Sequence, residues 1–234
     1  MNTHWYLHSK DFFDGIAREK ALFLAQAQTK ILAKNDMIFF EGDTGTACFY
    51  IASGLVRIFS LTDSGKEPIF FLRRQGEMFG LSEVVDACSR KANAQALTPV
   101  VLHRIERDAF ERLLAENYLL TRKVISVMGA RIRYLGDRIS ALIACTVRHR
   151  LIKLLLSLAY EHLPDAASWQ SAVTIDLLLS QEQIAALTGS TQPTISDALQ
   201  HLQREGLIAL SRRHITVLKP LALLELAEFG QQIP

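Results

Sequence analysis

Three polar side chains spaced four apart, Gln192, Ser196 and Gln200, are of the kinds that can read nucleic-acid base edges, because an amide donates and accepts at once and a hydroxyl does either. Near them stand Ser180, Thr191, Thr194, His201, Arg204, Arg212 and Arg213, hydroxyls and cations of the kinds that meet phosphate oxygens. Other chemistries find little material. Asp63-Ser64-Gly65-Lys66-Glu67 lacks the first glycine of a phosphate-binding loop and the hydroxyl that should follow its lysine. Cys48, Cys88 and Cys145 lie too far apart for the short spacings of zinc or iron-sulfur sites, so no metal site is expected. They read as reduced, mostly buried thiols, with a redox switch as the alternative. Neither paired carboxylates nor a nucleophile with its base can be recognised, and the chain does not read as an enzyme.

The polar trio sits where local signals define a helix-turn-helix. Ser180-Gln181-Glu182-Gln183 is a capping box that opens a helix through Ile184, Ala185 and Leu187. Gly189 can take the left-handed conformation that ends it, and Ser190 or Thr191 can cap the next helix. Pro193 falls in that helix's first turn, where no backbone donor is needed. Ile195, Ala198, Leu199 and Leu202 form its apolar face, and Gly206 ends it. Leu207–Leu210 and His214–Leu218 then flank Ser211, Arg212 and Arg213 as a two-stranded hairpin, which makes the module a winged helix-turn-helix.

Upstream the pattern changes twice. Between Asp36 and Ile105, glycines punctuate short apolar runs, predicting strands at Ile38–Phe40, Phe49–Ile51, Leu55–Phe59, Ile69–Leu72 and Val100–Ile105, with a hairpin turn at Thr62–Gly65. A small barrel or jelly roll is the expected product. From Asp108 to Tyr160 the apolar spacing is helical. Ile125, Met128, Ile132, Leu135, Ile139 and Leu142 alternate by three and four residues, a heptad seam that predicts a self-pairing helix and a homodimer. Gly129 and Gly136 beside it would let two backbones approach closely. The expected class is α+β, with a barrel domain over 1–115, a dimerisation helix over 116–144 and the winged helix-turn-helix, DNA-binding domain over 145–234.

Bulk properties bound the function. At 49% hydrophobic and 21% charged residues, the 234-residue chain has the composition of an ordered globular protein. Its longest apolar runs are far below the roughly 20 residues of a membrane helix, so no membrane partner and a cytoplasmic location are expected. From Cys145 to Pro234 there are seven Lys or Arg and eight Asp or Glu. That balance lacks the basic footprint usual for DNA binding and keeps open a ligand-binding module that has lost DNA binding. Arg131, Arg133, Arg138, Arg148, Arg150 and Lys153 supply positive charge just before or within this stretch.

In this order, Gly42-Asp43 through Phe49-Tyr50-Ile51, Gly54-Leu55-Val56-Arg57, Gly76-Glu77-Met78-Phe79-Gly80, the long helix and Gln183-Ile184-Ala185 through Thr194-Ile195-Ser196 resemble the cyclic-AMP receptor protein / fumarate-nitrate reduction regulator family over nearly the whole chain. The resemblance implies a cyclic-nucleotide-binding-like barrel, a dimerising helix, a winged helix-turn-helix acting on palindromic promoter sites in double-stranded DNA, and RNA polymerase as a further partner. In that docking mode Gln192, Ser196 and Gln200 meet base edges, and Ser180, Thr191, Thr194, His201, Arg204, Arg212 and Arg213 meet phosphates. Family members commonly carry Arg where this chain has Gln192 and Asp197, and Glu where it has Pro193, so a site less dominated by guanine is expected.

The resemblance also bears on the effector. Members that bind cyclic AMP carry Gly-Glu after the glycine matched by Gly80, and Arg-Ser near the end of the cassette; here Leu81 follows Gly80, and Arg90-Lys91-Ala92 stands in the second place. Leu135 and Gly136 replace their Thr-Ser pair, so cyclic AMP is disfavoured. An iron-sulfur cluster is disfavoured too, because residues 1–47 hold no cysteine. Haem through His103, Cys88, His4 or His8 stays open, as does a thiol switch at Cys88 or Cys48. The favoured effector is an unidentified small molecule, with an anion suggested by Arg57, Arg73, Arg74, Arg90 and Lys91; Gly80, Leu81 and Leu135 complete the expected pocket. Those cations could equally form a solvated sheet face.

Overall fold

The protein is described by a computed structural model covering residues 11–163, 165, 167–176, 179–212 and 214–229. It divides into two compact units that meet within one helix, the first ending at Ile132 and the second beginning at Arg133.

The first unit is a jelly-roll sandwich whose two antiparallel sheets remain open at their edges. One sheet runs β1 (Gln28–Leu32), β8 (Val100–Glu106), β3 (Ala47–Ser53), β6 (Met78–Phe79); the other runs β2 (Met37–Phe39), β7 (Asn93–Ala96), β4 (Leu55–Phe59), β5 (Ile69–Arg74). Strand β3 shows why the apolar runs are nearly continuous. Successive side chains point to opposite faces, so Ala47, Phe49 and Ile51 enter the core between the sheets while Cys48 and Tyr50 enter a second core under a helical layer. That layer comprises α1 (Ala17–Gln26), α2 (Leu81–Val85), α3 (Arg107–Glu116) and the start of α4 (Tyr118–Ala144). Burial within it pushes the Cys48 thiol well above its ordinary value, leaving no reactive thiolate there.

The expected strands recur with ends shifted by a few residues, and Gly65 donates to Thr62 O in the anticipated turn. Strands β1, β6 and β7 were not anticipated. Helix α4 carries two apolar stripes. Leu120 and Val124 are buried in the helical-layer core, and Met128 packs partly against it. Met128, read as a seam residue, is therefore shared with this core. The remaining seam residues, Ile125, Ile132, Leu135, Ile139 and Leu142, are exposed, and a Cβ added at Gly136 would meet nothing within 4 Å.

The second unit is built around α5 (Val147–Ala159), whose Leu151, Ile152, Leu155, Leu156 and Ala159 are buried. Thr146 caps it by accepting from the His149 amide at 3.3 Å. His149 is itself buried, and its Nε2 has no partner among the described residues. Burial first, and then the Lys153 charge, push this imidazole below its ordinary value. Folding therefore favours the neutral ring, and the associated stability is full above the unfolded-state pKa of about 6.5 and declines as pH falls through it. Calorimetry of His149→Phe should show a flatter fall in melting temperature between about pH 6.5 and 5 than the native chain. His103 in the first unit, pushed down by burial and by Lys20, keeps its own contribution.

Candidate nucleic-acid interface and sensor groups

The capping box forms as its residue types predict. Ser180 Oγ accepts from the Gln183 amide at 3.1 Å, and Gln183 Oε1 accepts from the Ser180 amide at 2.9 Å. Helix α6 (Gln181–Thr188) ends at Gly189, whose φ of +61° turns the chain so that Ser190 donates back to Ala185 O. Helix α7 (Gln192–Arg204) follows with Pro193 in its first turn. Thr191 precedes this helix without capping it through its side chain, and its hydroxyl instead meets Thr194 Oγ1 at 2.8 Å. Ile195, Leu199 and Leu202 are buried on α7, as are Ile184, Ala185 and Leu187 on α6.

An alanine at Gly189 would place its Cβ 2.6 Å from Leu142 Cδ2, whereas one at Gly206, where φ is +67°, would meet open space. Both should pay about 1 kcal/mol for the left-handed backbone. The Leu142 methyl is the end of an exposed side chain that can rotate away, so the two variants should lose about the same stability, which paired denaturant melts measure.

On the other side of α7, Gln192, Thr194, Asp197, Gln200, His201 and Arg204 are exposed and Ser196 is half-buried. The three candidate base readers thus share one helix. Ser180, Thr191 and Arg212 are also exposed. Most of the proposed phosphate contacts already have protein partners: His201 Nε2 lies 2.9 Å from Glu205, which also pairs with Arg148, Ser180 serves as the cap, the Thr191 and Thr194 hydroxyls meet each other, and Arg204 Nε donates to Gln200 O at 3.5 Å. Arg212 has no ion pair among the described residues, and Arg213 lies outside them. The wing has a strand beyond the expected hairpin. Strand β11 (His214–Val217) pairs with β10 (Ile208–Leu210) on one side and with β9 (Val173–Asp176) on the other, and His214 Nδ1 meets Asp176 at 2.9 Å.

In the first unit the expected effector arginines form neither an open cluster nor a solvated face. Arg57 is buried, bonded to Glu67 at 2.7 Å and to Gln95, with its guanidinium over the Phe59 ring. Arg73 pairs with Glu77 at 3.2 Å and covers Phe71, and the Arg74 amide donates to Glu77 Oε2. Arg90, buried over Phe39, donates to Gly80 O, Ala47 O and Glu83 Oε2. Burial lowers its guanidinium's pKa while Glu83 opposes the shift. Gly80 precedes α2, Leu81 is fully buried and Lys91 is exposed. Leu135 falls in the second unit, exposed on α4.

The sequence reading missed Glu83 and placed Arg131 only among the cations near the helix-turn-helix. Arg131 donates to Met78 O and is pushed down by burial and by Arg73, and its Nε, like that of Arg90, is buried without a partner among the described residues. Neither is marked by a local motif. Of the thiol and haem candidates, His103 is held by Thr29 at 3.2 Å and stacked on Tyr50; His4 and His8 lie outside the described residues. A cavity of about 550 Å³ in the second unit, bounded by Tyr134, Arg138, Leu142, Lys153 and Leu224 among others, includes none of the expected effector residues.

A jelly-roll unit, a long helix with an exposed seam and a winged helix-turn-helix define a two-domain regulator of the DNA-binding kind. Residues 29–117 match the cyclic nucleotide-binding domain family, and residues 149–226 match the Crp-like helix-turn-helix domain. The chain is 30% identical over 192 residues to a global nitrogen regulator of a Nostoc species, covering 81% of this chain and 85% of that protein. It is 28% identical over 219 residues to a cyclic AMP receptor protein of Thermus thermophilus, covering 93% and 96%. The solved structure of FixK2 from Bradyrhizobium japonicum matches with a TM-score of 0.75 at 22% identity, over 86% of this chain and 96% of that one. The chain belongs to the cyclic-AMP receptor protein / fumarate-nitrate reduction regulator family of transcription regulators. Among the described residues no helix is long and apolar enough to cross a membrane.

Proposed function

We propose that the chain acts in the cytoplasm as a homodimer that recognises a palindromic promoter site through α7 of each copy, with RNA polymerase as a further partner. The observation that carries this reading is α7 itself, which buries Ile195, Leu199 and Leu202 and leaves a polar face of Gln192, Ser196, Asp197 and Gln200 available. Gln192, Ser196 and Gln200 read base edges. Ser180, Thr191, Thr194, Arg204 and Arg212 hold phosphates, with His201 joining them once released from Glu205; Arg213 belongs to the same set by sequence. Pairing runs along Ile125, Ile132, Leu135, Ile139 and Leu142, with Met128 contributing at its barrel end.

Control comes from a small-molecule effector at the jelly roll other than cyclic AMP. Leu81 fills the position of the family's acidic residue, and Glu83 already occupies Arg90. An anionic effector must therefore take Arg90 from Glu83, and the buried Nε donors of Arg90, Arg107 and Arg131 have no partner there among the described residues. Its binding would favour one spacing of the two recognition helices. Gel shift of the full chain on genomic fragments, with sedimentation of the complexes, tests the reading. Retained fragments carrying two chains per site are expected; no retention under any ligand condition, or a single chain per site, overturns it.

A further inference from the structure

We infer that Asp197 is a base-reading residue that selects cytosine, an inference that rests on the proposed docking of α7 in the major groove. Buried Ile195 and Leu199 define the inward direction of the helix. Asp197 stands two residues from each, so at 3.6 residues per turn it is rotated about 160° from both and points straight out of the domain. Ser196 and Gln200, each one residue beyond a buried position, lie on the flank. Asp197 is thus directed away from the core, as Arg204 is two turns further on, towards whatever α7 faces.

Among the described residues nothing uses this carboxylate. It is exposed and has no hydrogen bond or ion pair among the described residues. His201, one turn further on, is engaged by Glu205, and Pro193, one turn back, has no donor to offer. Asp197 is also too far along the helix to gain from the positive N-terminal end. A carboxylate carried into a groove walled by phosphates is repelled unless it meets a hydrogen-bond donor. Among major-groove edges, guanine presents acceptors and thymine an acceptor and a methyl group. Adenine pairs its amino donor with an adjacent N7 acceptor that would repel the second carboxylate oxygen, and cytosine offers an N4 amino group. Asp197 therefore rejects guanine and thymine and accepts from cytosine N4. The acid that weakens general attraction to DNA becomes the source of discrimination.

The test is selection of randomised duplexes by the full chain, supplemented with a small-molecule cell extract so that effector is present, alongside Asp197→Ala and Asp197→Asn. The native chain should enrich cytosine at one step of each half-site. Asp197→Ala should lose about tenfold of that preference, with the rest of the profile kept, and should bind unrelated duplex better. Asp197→Asn should move the same step towards adenine, because an amide matches both N6 and N7. A native profile without that cytosine, or one that Asp197→Ala leaves unchanged, overturns the inference and leaves the regulator reading standing. No enrichment of any sequence by the native chain overturns both.

Discussion

Aspartates in place of Ile132 and Ile139 should give a folded chain that sediments as a monomer and binds a palindromic duplex at least about a hundredfold more weakly than the native chain, because the second half-site contact is no longer intramolecular. Both side chains are exposed in the single chain, at 71% and 58%, so their replacement removes nothing from either unit's own core. In a dimer each would bury apolar surface worth about 1.5–3 kcal/mol. Carboxylates facing one another across the seam would replace that gain with repulsion between partly desolvated charges. Ile31→Asp, at an exposed position on β1, is the control and should leave both dimer and DNA affinity unchanged. Circular dichroism separates unfolding from dissociation. A double variant that still sediments as a dimer would remove α4 as the pairing element and, with it, the palindromic site.

What could be read from residues alone was the local part. The Ser180 capping box, the left-handed Gly189 and the buried spacing of α7 each depend on side chains within a few positions of one another, and all three form as their chemistry requires. Strand β9 shows where that reach ends. Its burial alternates along Val173–Asp176, a period-2 signal present in four residues, but β11 lies some forty positions away and only tertiary pairing makes the segment a strand. Met128 shows the same limit differently. The heptad rule gives it one neighbour, whereas the helical layer beneath the jelly roll already takes part of its surface. The arginines were recognisable as a group, but their partners were not. Glu67, Gln95, Glu77 and Glu83 reach them through strand register and loop geometry, which convert an apparent cationic patch into internal pairs.

Among those pairs, Arg90 with Glu83 should matter most to stability. Arg90→Met is expected to cost about 3–5 kcal/mol, because removing one partner of a buried pair strands the other charge in low dielectric. The side chains are only 3% and 15% exposed, and the guanidinium also satisfies Gly80 O and Ala47 O. By calorimetry the loss should appear as a fall of about 10 °C or more in the first unit's melting transition. Glu83→Gln removes the charge but keeps an acceptor, so it should cost less. Added to Arg90→Met it should restore part of the lost stability, a coupling that a double-mutant cycle measures directly. The single Glu83→Gln variant carries the functional consequence. With its counter-charge gone, Arg90 is a buried cation lacking an ionic partner at that contact, and inorganic phosphate should raise this variant's melting temperature more than the native chain's. Equal responses to phosphate would mean that Arg90 serves the fold alone, and the effector would then have to be sought away from the cassette.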